Sequence, residues 1–335
     1  MRVLTLSNAD IHASLSPEAC EQAMAAVLAA RARGDAFNPL RTVTAPPGAE
    51  GFIGLMPAYA SSAAHAGGED EAGAGGAFGL KVVCIMRANP SRGLDAHQGT
   101  VQLYDGETGI PTAILNASAI TEIRTAAVTA VATRALARDG ARVLTMLGAG
   151  VQARSHLIAL ADVRPWDEVR VYAPTTAHAE ALRETRADIV VAGSAHEAVE
   201  GADVVVVATS AKRSVLEHAW LASGAHVNAV GASSPTTWEI EPATVAAAAL
   251  FCDSRESVCN EAGEFRLAVE EGLIAGEEHI RAELGEVVAG AHPGRASDDE
   301  LTVFRSLGLG VEDLAAAQVA VQNARRQGLG SEVEL

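Results

Sequence analysis

The sequence predicts an α/β protein, with a doubly wound parallel sheet through its middle and an α+β part built on a mainly antiparallel sheet. Three observations predict it. An apolar run, 143–147, ends in Gly148-Ala149-Gly150-Val151-Gln152-Ala153 and is followed by helix-compatible sequence to Leu160: a strand, a tight turn and a helix start. Further apolar runs at 168–172, 188–192, 203–208, 226–230 and 249–253 have helical sequence between several of them, the pattern of parallel strands covered on both faces. Ahead of all these, short strand-like runs are separated by turn residues.

At 335 residues the chain has the length for two domains and a sizeable core. Its 49% hydrophobic and 20% charged residues are those of an ordinary soluble globular protein. The formal net charge of -17 argues against a nucleic-acid or acidic-membrane partner, because binding phosphate draws on Lys and Arg. The first ten residues turn polar too soon for a signal peptide, and no apolar run reaches membrane-spanning length. The expectation is a cytoplasmic protein. Cys20, Cys84, Cys252 and Cys259 lack the CxxC pairs of a zinc site and are few for a disulfide framework; they read as reduced thiols, and no metal site is expected.

In chain order, Ser16-Pro17-Glu18 opens a helix with an N-cap, a first-turn proline and an acidic first turn, and Gly34 closes it. Strands are expected at 41–44, 52–56, 80–86, 101–104 and 111–116, the last two joined by a hairpin at Asp105-Gly106-Glu107-Thr108-Gly109. The Gly- and acid-rich stretch 63–76 cannot bury enough surface to order itself and is expected to be a mobile surface loop. A helix over 119–138 leads into the glycine turn. Beyond the parallel strands, 278–289 reads as helix, 301–305 as strand, and 311–326 as a last amphipathic helix that could return to the first domain.

The glycine turn suits a dinucleotide diphosphate. Gly148 can take unusual dihedrals, Gly150 has no Cβ to hold the diphosphate off the helix N–H groups, and Ala153 is small where helix and strand meet. A structural glycine turn is the plain alternative, which the strand before it, the helix after it and the βα units beyond it disfavour. After the second strand comes Tyr172-Ala173-Pro174-Thr175-Thr176, with neither the acid of an NAD site nor the Arg of an NADP site. Thr175 and Thr176 tilt the cofactor slightly to NADP.

Of the 25 basic residues only Lys81 and Lys212 are lysines, so Lys81 stands where an amine that can release its proton is needed, or stands there by chance. Its strand is too apolar for a solvated lysine: the side chain either snorkels at an edge or enters a pocket, where desolvation lowers its pKa toward proton-donor use. Arg124 reads either as half of a helix-surface salt bridge, to Glu122 or Asp139, or as a ligand for a carboxylate. Arg41 is equally open. His226 lies in a buried-looking strand and reads as a satisfied core residue; His97 has only sequence proximity to the first sheet.

Ordered blocks along the whole chain now carry a resemblance: Arg41-Thr42-Val43, Phe52 through Tyr59, Ile120-Thr121 with Arg124-Thr125-Ala126-Ala127, Leu147 through Ala153 with Ser155-His156, Asn228 through Ser233, Ala282 through Val287, and Thr302 through Gly308. The chain resembles the ornithine cyclodeaminase/mu-crystallin family, and within it the mu-crystallin-type ketimine reductases. The resemblance implies a Rossmann domain, 126–307, inserted in a substrate-binding and dimerisation domain, 1–125 plus 308–335, with a homodimer formed through the antiparallel sheet and the substrate between the domains. It further implies that Arg41, Lys81 and Arg124 hold a substrate carboxylate, with Lys81 beside the reacting C–N bond. Thr125, Gly148, Gly150, Val151, Gln152, Thr175, Thr209, Val230 and Leu307 would contact the cofactor.

The departures inform the chemistry. The cyclodeaminase pattern has an acid before Leu-Met-Pro and another after the Val-Gly pair, both serving the ornithine side-chain amine; here these positions are Gly54 and Ser233. Without them a distal ammonium would be unpaired in a closed pocket, a cost on the order of a few kcal/mol. Where mu-crystallins carry an Arg toward NADP, this chain has Pro174. The expected activity is NAD(P)H-dependent reduction of a small, carboxylate-bearing and cyclic ketimine to an amino acid, with Lys81 assisting protonation. The alternatives are ornithine or lysine cyclodeamination, amino-acid dehydrogenation, or a non-catalytic NADP- or ligand-binding protein of the mu-crystallin kind.

Overall fold

In the computed structural model, which describes residues 1–64, 76–86 and 88–335, the chain opens with strand β1 (Arg2–Leu6) and helices α1 (Asn8–Ser14) and α2 (Pro17–Arg33). Strands β2 (Ala36–Phe37), β3 (Thr42–Thr44), β4 (Gly51–Ala60), β5 (Ala77–Met86), β6 (His97–Asp105) and β7 (Pro111–Asn116) follow, then helix α3 (Ala117–Leu136). Strands and helices next alternate as β8 (Val143–Leu147), α4 (Val151–Ala159), β9 (Glu168–Tyr172), α5 (Thr176–Ala181), β10 (Val190–Val191), α6 (Ala195–Val199) and β11 (Val204–Val207). They continue as β12 (His226–Ala229), α7 (Pro242–Ala247), β13 (Ala249–Cys252), α8 (Arg255–Glu261), α9 (Gly263–Glu270), β14 (Ile280–Glu283), α10 (Leu284–Val288) and β15 (Thr302–Arg305). Helix α11 (Gly310–Gln327) and strand β16 (Ser331–Glu334) close the chain. These elements form two units, Met1–Ala127 with Leu309–Leu335 (unit 1) and Val128–Gly308 (unit 2).

Unit 1 is organised by one sheet in the order β16-β1-β7-β6-β5-β4-β2, with β3 also paired to β4. All its pairings are antiparallel except β1 with β7. Alternation gives the sheet two unlike faces. Met56, Ala58, Ala60, Lys81, Val83, Val101 and Leu103 are buried on one, the side that α11 covers as it packs on β4, β5, β6 and α2. Gly79 belongs to this face because a Cβ there would press on Leu314 at 3.1 Å. The other face leaves Leu55 and Phe78 exposed. Helix α2 begins as its sequence dictates, the Ser16 side chain accepting from the Ala19 N–H, and ends at Gly34 in the left-handed region.

Unit 2 is built on an all-parallel sheet in the order β10-β9-β8-β11-β12-β15-β13-β14. The order reverses between β8 and β11, the switch point of a doubly wound sheet. All four residues of β11 and all four of β12 are buried, as strands covered on both faces must be. His226 is one of them, held by the Thr302 hydroxyl at 2.9 Å and the Asn228 side-chain oxygen at 3.2 Å. Burial pushes its pKa down to about 3, so it is neutral and structural.

One expectation is corrected. The stretch 278–289 is not one helix: Ile280 and Ala282 are buried while Arg281 is exposed, the alternation of a strand, and β14 pairs with β13. The helix starts only at Leu284, where the Glu286 side chain accepts from the Glu283 N–H at 2.7 Å. Strands β1 and β16 are additions; β16 is exposed at all four positions and carries no hydrophobic period to read. The stretch 63–76 lies outside the described residues from 65 to 75. Among the described residues no helix is long and apolar enough to cross a membrane.

Candidate active site

On the covered face of the unit 1 sheet, three cations and two acids gather. Lys81 is in β5, flanked by β4 and β6, opposite Met56 and Val101, so it has no edge at which to snorkel and is only 4% exposed. Its Nζ donates to Asp313 Oδ1 at 3.1 Å. Arg124 of α3, also buried, donates from Nε to the same oxygen at 3.0 Å and from Nη1 to Glu312 Oε2 at 2.9 Å. The salt bridge with Glu122 or Asp139 considered from sequence is therefore replaced by one with acids 188 and 189 residues away. Arg41 is half-buried and near enough to act on Lys81 electrostatically.

The acids sit where a helix favours them. Glu312 and Asp313 occupy the first turn of α11, at the positive end of its dipole. Glu312 Oε2 also accepts from the Leu309 N–H at 3.1 Å, and the Asn38 side-chain oxygen accepts from the Val311 N–H at 3.1 Å. The sequence reading missed both acids, because an acidic first turn is ordinary helix composition. The available signal was that they open a helix otherwise rich in alanine, in a chain with three cations to neutralise.

The electrostatics bring the Lys81 ammonium toward neutrality. Burial first, and then the neighbouring Arg124 and Arg41 guanidiniums, push its ammonium down to about 8, against the opposing pull of Asp313. Guanidiniums such as those of Arg41 and Arg124 suit an organic carboxylate, which they can bind through paired, charge-assisted hydrogen bonds. Gly54 lies on the same buried face, opposite Val83, and a Cβ there would make only ordinary contact, 3.6 Å from Val83 Cγ1.

In unit 2 the glycine turn has the geometry its sequence implies. Gly148 has φ +117°, and a Cβ on it would collide with the Ala208 carbonyl oxygen. Gly150 is the N-cap of α4, with no side-chain cap; a Cβ there would meet nothing within 4 Å. The space beside this N-cap is thus clear, as an anion site at a helix N-terminus requires. Ala153 is fully buried, Val151 is exposed and Gln152 half-buried. Thr175 is exposed as the N-cap of α5.

Thr209, Val230 and Leu307 follow the carboxyl ends of β11, β12 and β15, the edge where doubly wound sheets take ligands. Thr209 donates its N–H and hydroxyl to Glu239 Oε1 at 2.6 and 2.7 Å. The Leu307 and Gly308 N–H groups both donate to Asp253 Oδ2 at 2.6 Å. Glu239 and Asp253 were invisible in the sequence, where neither differs from a surface acid. Thr125 is buried in α3 of unit 1. His97 stands exposed at the start of β6 beside Asp95, near enough for Lys81 and Arg124 to act on its imidazole electrostatically. Among the described residues no set of His, Cys, Asp and Glu is placed to hold a metal ion.

Comparison with known proteins places the chain in a family. The model of the Ornithine cyclodeaminase/mu-crystallin family matches residues 2–328. The ketimine reductase mu-crystallin of Mus musculus is 39% identical over 287 residues, 85% of each chain. The Thermococcus litoralis Delta(1)-pyrroline-2-carboxylate reductase, solved in complex with NADH and L-proline, superposes with a TM-score of 0.90 at 35% identity, covering 99% of this chain and 100% of that one. An archaeal alanine dehydrogenase dimer with bound NAD superposes with a TM-score of 0.90 at 30% identity over the whole of both chains.

Proposed function

The chain belongs to the ornithine cyclodeaminase/mu-crystallin family, and from that premise we propose that it reduces a small, carboxylate-bearing cyclic ketimine to an amino acid with a nicotinamide cofactor. The observation that carries the proposal is the buried pair of Lys81 and Arg124 on Asp313, with Arg41 near enough to act on Lys81 and the lysine's ammonium lowered to about 8. Two of the relatives are a ketimine reductase and a pyrroline-2-carboxylate reductase. Gly54 and Ser233 supply no acid for a distal ammonium, which sets ornithine cyclisation aside.

Arg41 and Arg124 hold the substrate carboxylate and so fix which face of the imine carbon is presented. Lys81, as its ammonium, passes a proton to the imine nitrogen, directly or through water, making the carbon electrophilic. Asp313 keeps Lys81 in its acid form by lying against it. A bound reduced nicotinamide supplies the hydride that adds to the imine carbon. Thr125, Gly148, Gly150, Val151, Gln152, Thr175, Thr209, Val230 and Leu307 hold that cofactor. We favour NADPH slightly over NADH on the Thr175 and Thr176 hydroxyls, with no acid at the end of β9 to select the ribose.

The exposed sheet face of unit 1, with Leu55 and Phe78 at 36 and 47% exposure, we assign to a second copy of this chain, giving a homodimer like the alanine dehydrogenase relative. The protein acts on small molecules, with no nucleic acid and no membrane.

The test is oxidation of NADH and NADPH on adding five- and six-membered cyclic imino acids, with the wild type and Lys81→Ala. Turnover by the wild type and a loss of about 10²–10⁴-fold in the variant are expected. Full turnover by Lys81→Ala defeats the assignment of the proton donor. Proline formed from ornithine without added reductant defeats the reductase reading, and cofactor binding with no oxidation across the panel makes the protein a binder.

A further inference from the structure

The buried acid Glu239 lies outside the machinery described so far. It stands at the carboxyl-end edge of the unit 2 sheet, 1% exposed, and joins two strand ends. Its Oε1 takes the Thr209 N–H at 2.6 Å and the Thr209 hydroxyl at 2.7 Å; its Oε2 takes the Ala232 N–H at 2.7 Å. Its own carbonyl accepts from the Val215 and Leu216 N–H groups at 2.8 and 3.2 Å. One residue thus ties the segment after β11, the turn after β12 and its own loop. Gly231 is confined by the same clamp, since a Cβ there would collide with the Thr209 carbonyl and with Glu239 Oε1.

The surroundings give this carboxylate little else. The charged group that bears on it is Arg305, which is fully occupied: Arg305 pairs with the buried Glu264 of α9 and donates to the carbonyls of Ala229, Ser306 and Ala232 at 3.0, 2.9 and 2.6 Å. Burial raises the Glu239 carboxyl to about 7, while the Thr209 and Ala232 donors and Arg305 pull it back. All three side-chain partners are donors, so only the ionised acid satisfies them without reversal. Bonds to the ionised form are also the stronger ones.

We propose that Glu239 is a positioning residue for the nicotinamide cofactor: its ionised carboxylate sets Thr209 and the 230–232 turn in the arrangement that binds, and protonation loosens it. The inference rests on the dinucleotide reading of unit 2. It goes further in making cofactor affinity depend on a proton held behind the site, with no contact between Glu239 and the cofactor required.

Glu239→Gln is the natural probe. Its amide oxygen can still accept from Thr209, but its NH2 would oppose the Ala232 N–H. Binding of NADH and of NADPH to the full chain, followed by cofactor fluorescence from pH 6 to 8.5, should tighten in the wild type as pH rises through about 7. Glu239→Gln should bind about tenfold more weakly at the alkaline end, as for one lost charge-assisted bond, with no pH inflection. Thr209→Val gives a second measurement in case that variant does not fold. Losing the hydroxyl donor should move the inflection to higher pH, whatever it does to affinity. Wild-type affinity and pH profile in Glu239→Gln, or an unmoved inflection in Thr209→Val, overturns the proposal. A wild type that binds neither nicotinamide at any pH overturns the dinucleotide reading itself.

Discussion

Replacing Asp313 by Asn asks whether Lys81 works as an acid. The substitution is close to isosteric, and Asp313 Oδ2 has no hydrogen-bond partner among the described residues, so an amide nitrogen there would face no opposing donor. What is lost is charge. Across the 3.1 Å between Nζ and Oδ1, at an effective dielectric constant of about 20, the attraction is about 5 kcal/mol. Arg124 shares that oxygen and the amide dipole retains part of the interaction; allowing about half, and about 1.4 kcal/mol per pH unit, the Lys81 pKa falls by about two units. Asp313 raises the ammonium pKa, so its removal carries Lys81 from about 8 to about 6. If the ammonium is the donor, activity is lost as pH rises through that value, and the descending limb of kcat/KM against pH moves down by about two units. At pH 7 the donor form drops from about nine-tenths to about one-tenth, an approximately tenfold loss that disappears toward pH 5. The assay is initial-rate cofactor oxidation with a saturating and a limiting imine over that range. A descending limb that stays near pH 8, or a variant that gains activity at low pH as a general base would, refutes the reasoning.

Gly148→Ala and Gly150→Ala separate the two glycines of the turn. The first forces an L-residue into φ +117° and a methyl group onto the Ala208 carbonyl; with left-handed backbone alone costing about 1–2 kcal/mol, thermal unfolding should come about 5 °C lower, together with lost cofactor binding. The second adds a methyl group that touches nothing in the protein, so Tm should hold while cofactor affinity falls. Equal destabilisation by both would mean that the turn is merely structural. Phe78→Asp on the exposed sheet face should shift sedimentation from dimer to monomer while leaving the far-UV spectrum unchanged; an unshifted dimer would place the contact elsewhere.

The architecture was legible where hydrophobic period and turn chemistry agree. The glycine turn, the apolar parallel strands, the hairpin at 105–109 and the capped helix α2 needed no tertiary information, because each is decided within about a dozen residues. Strand β16 was illegible because its side chains are all exposed and its existence depends on β1, more than 300 residues earlier. Strand β14 was lost because four residues adjoin a capped helix and share its composition. In the candidate site the same division holds. Lys81 could be singled out by its apolar strand and by the scarcity of lysine, but its partner could not. Glu312, Asp313 and Glu239 acquire meaning only from burial, which the three-dimensional contacts of distant segments create.

The placement of the two acids also orders the making of the protein. Arg41, Lys81 and Arg124 leave the ribosome long before Glu312 and Asp313, which follow Arg124 by 188 and 189 residues, with the whole of unit 2 in between. Until those carboxylates arrive, closing unit 1 would bury Lys81 and Arg124 without counter-charge, at several kcal/mol each. The unit whose residues come first is therefore completed last. A nascent chain can finish the parallel sheet of unit 2 while unit 1 is still waiting for its final helix.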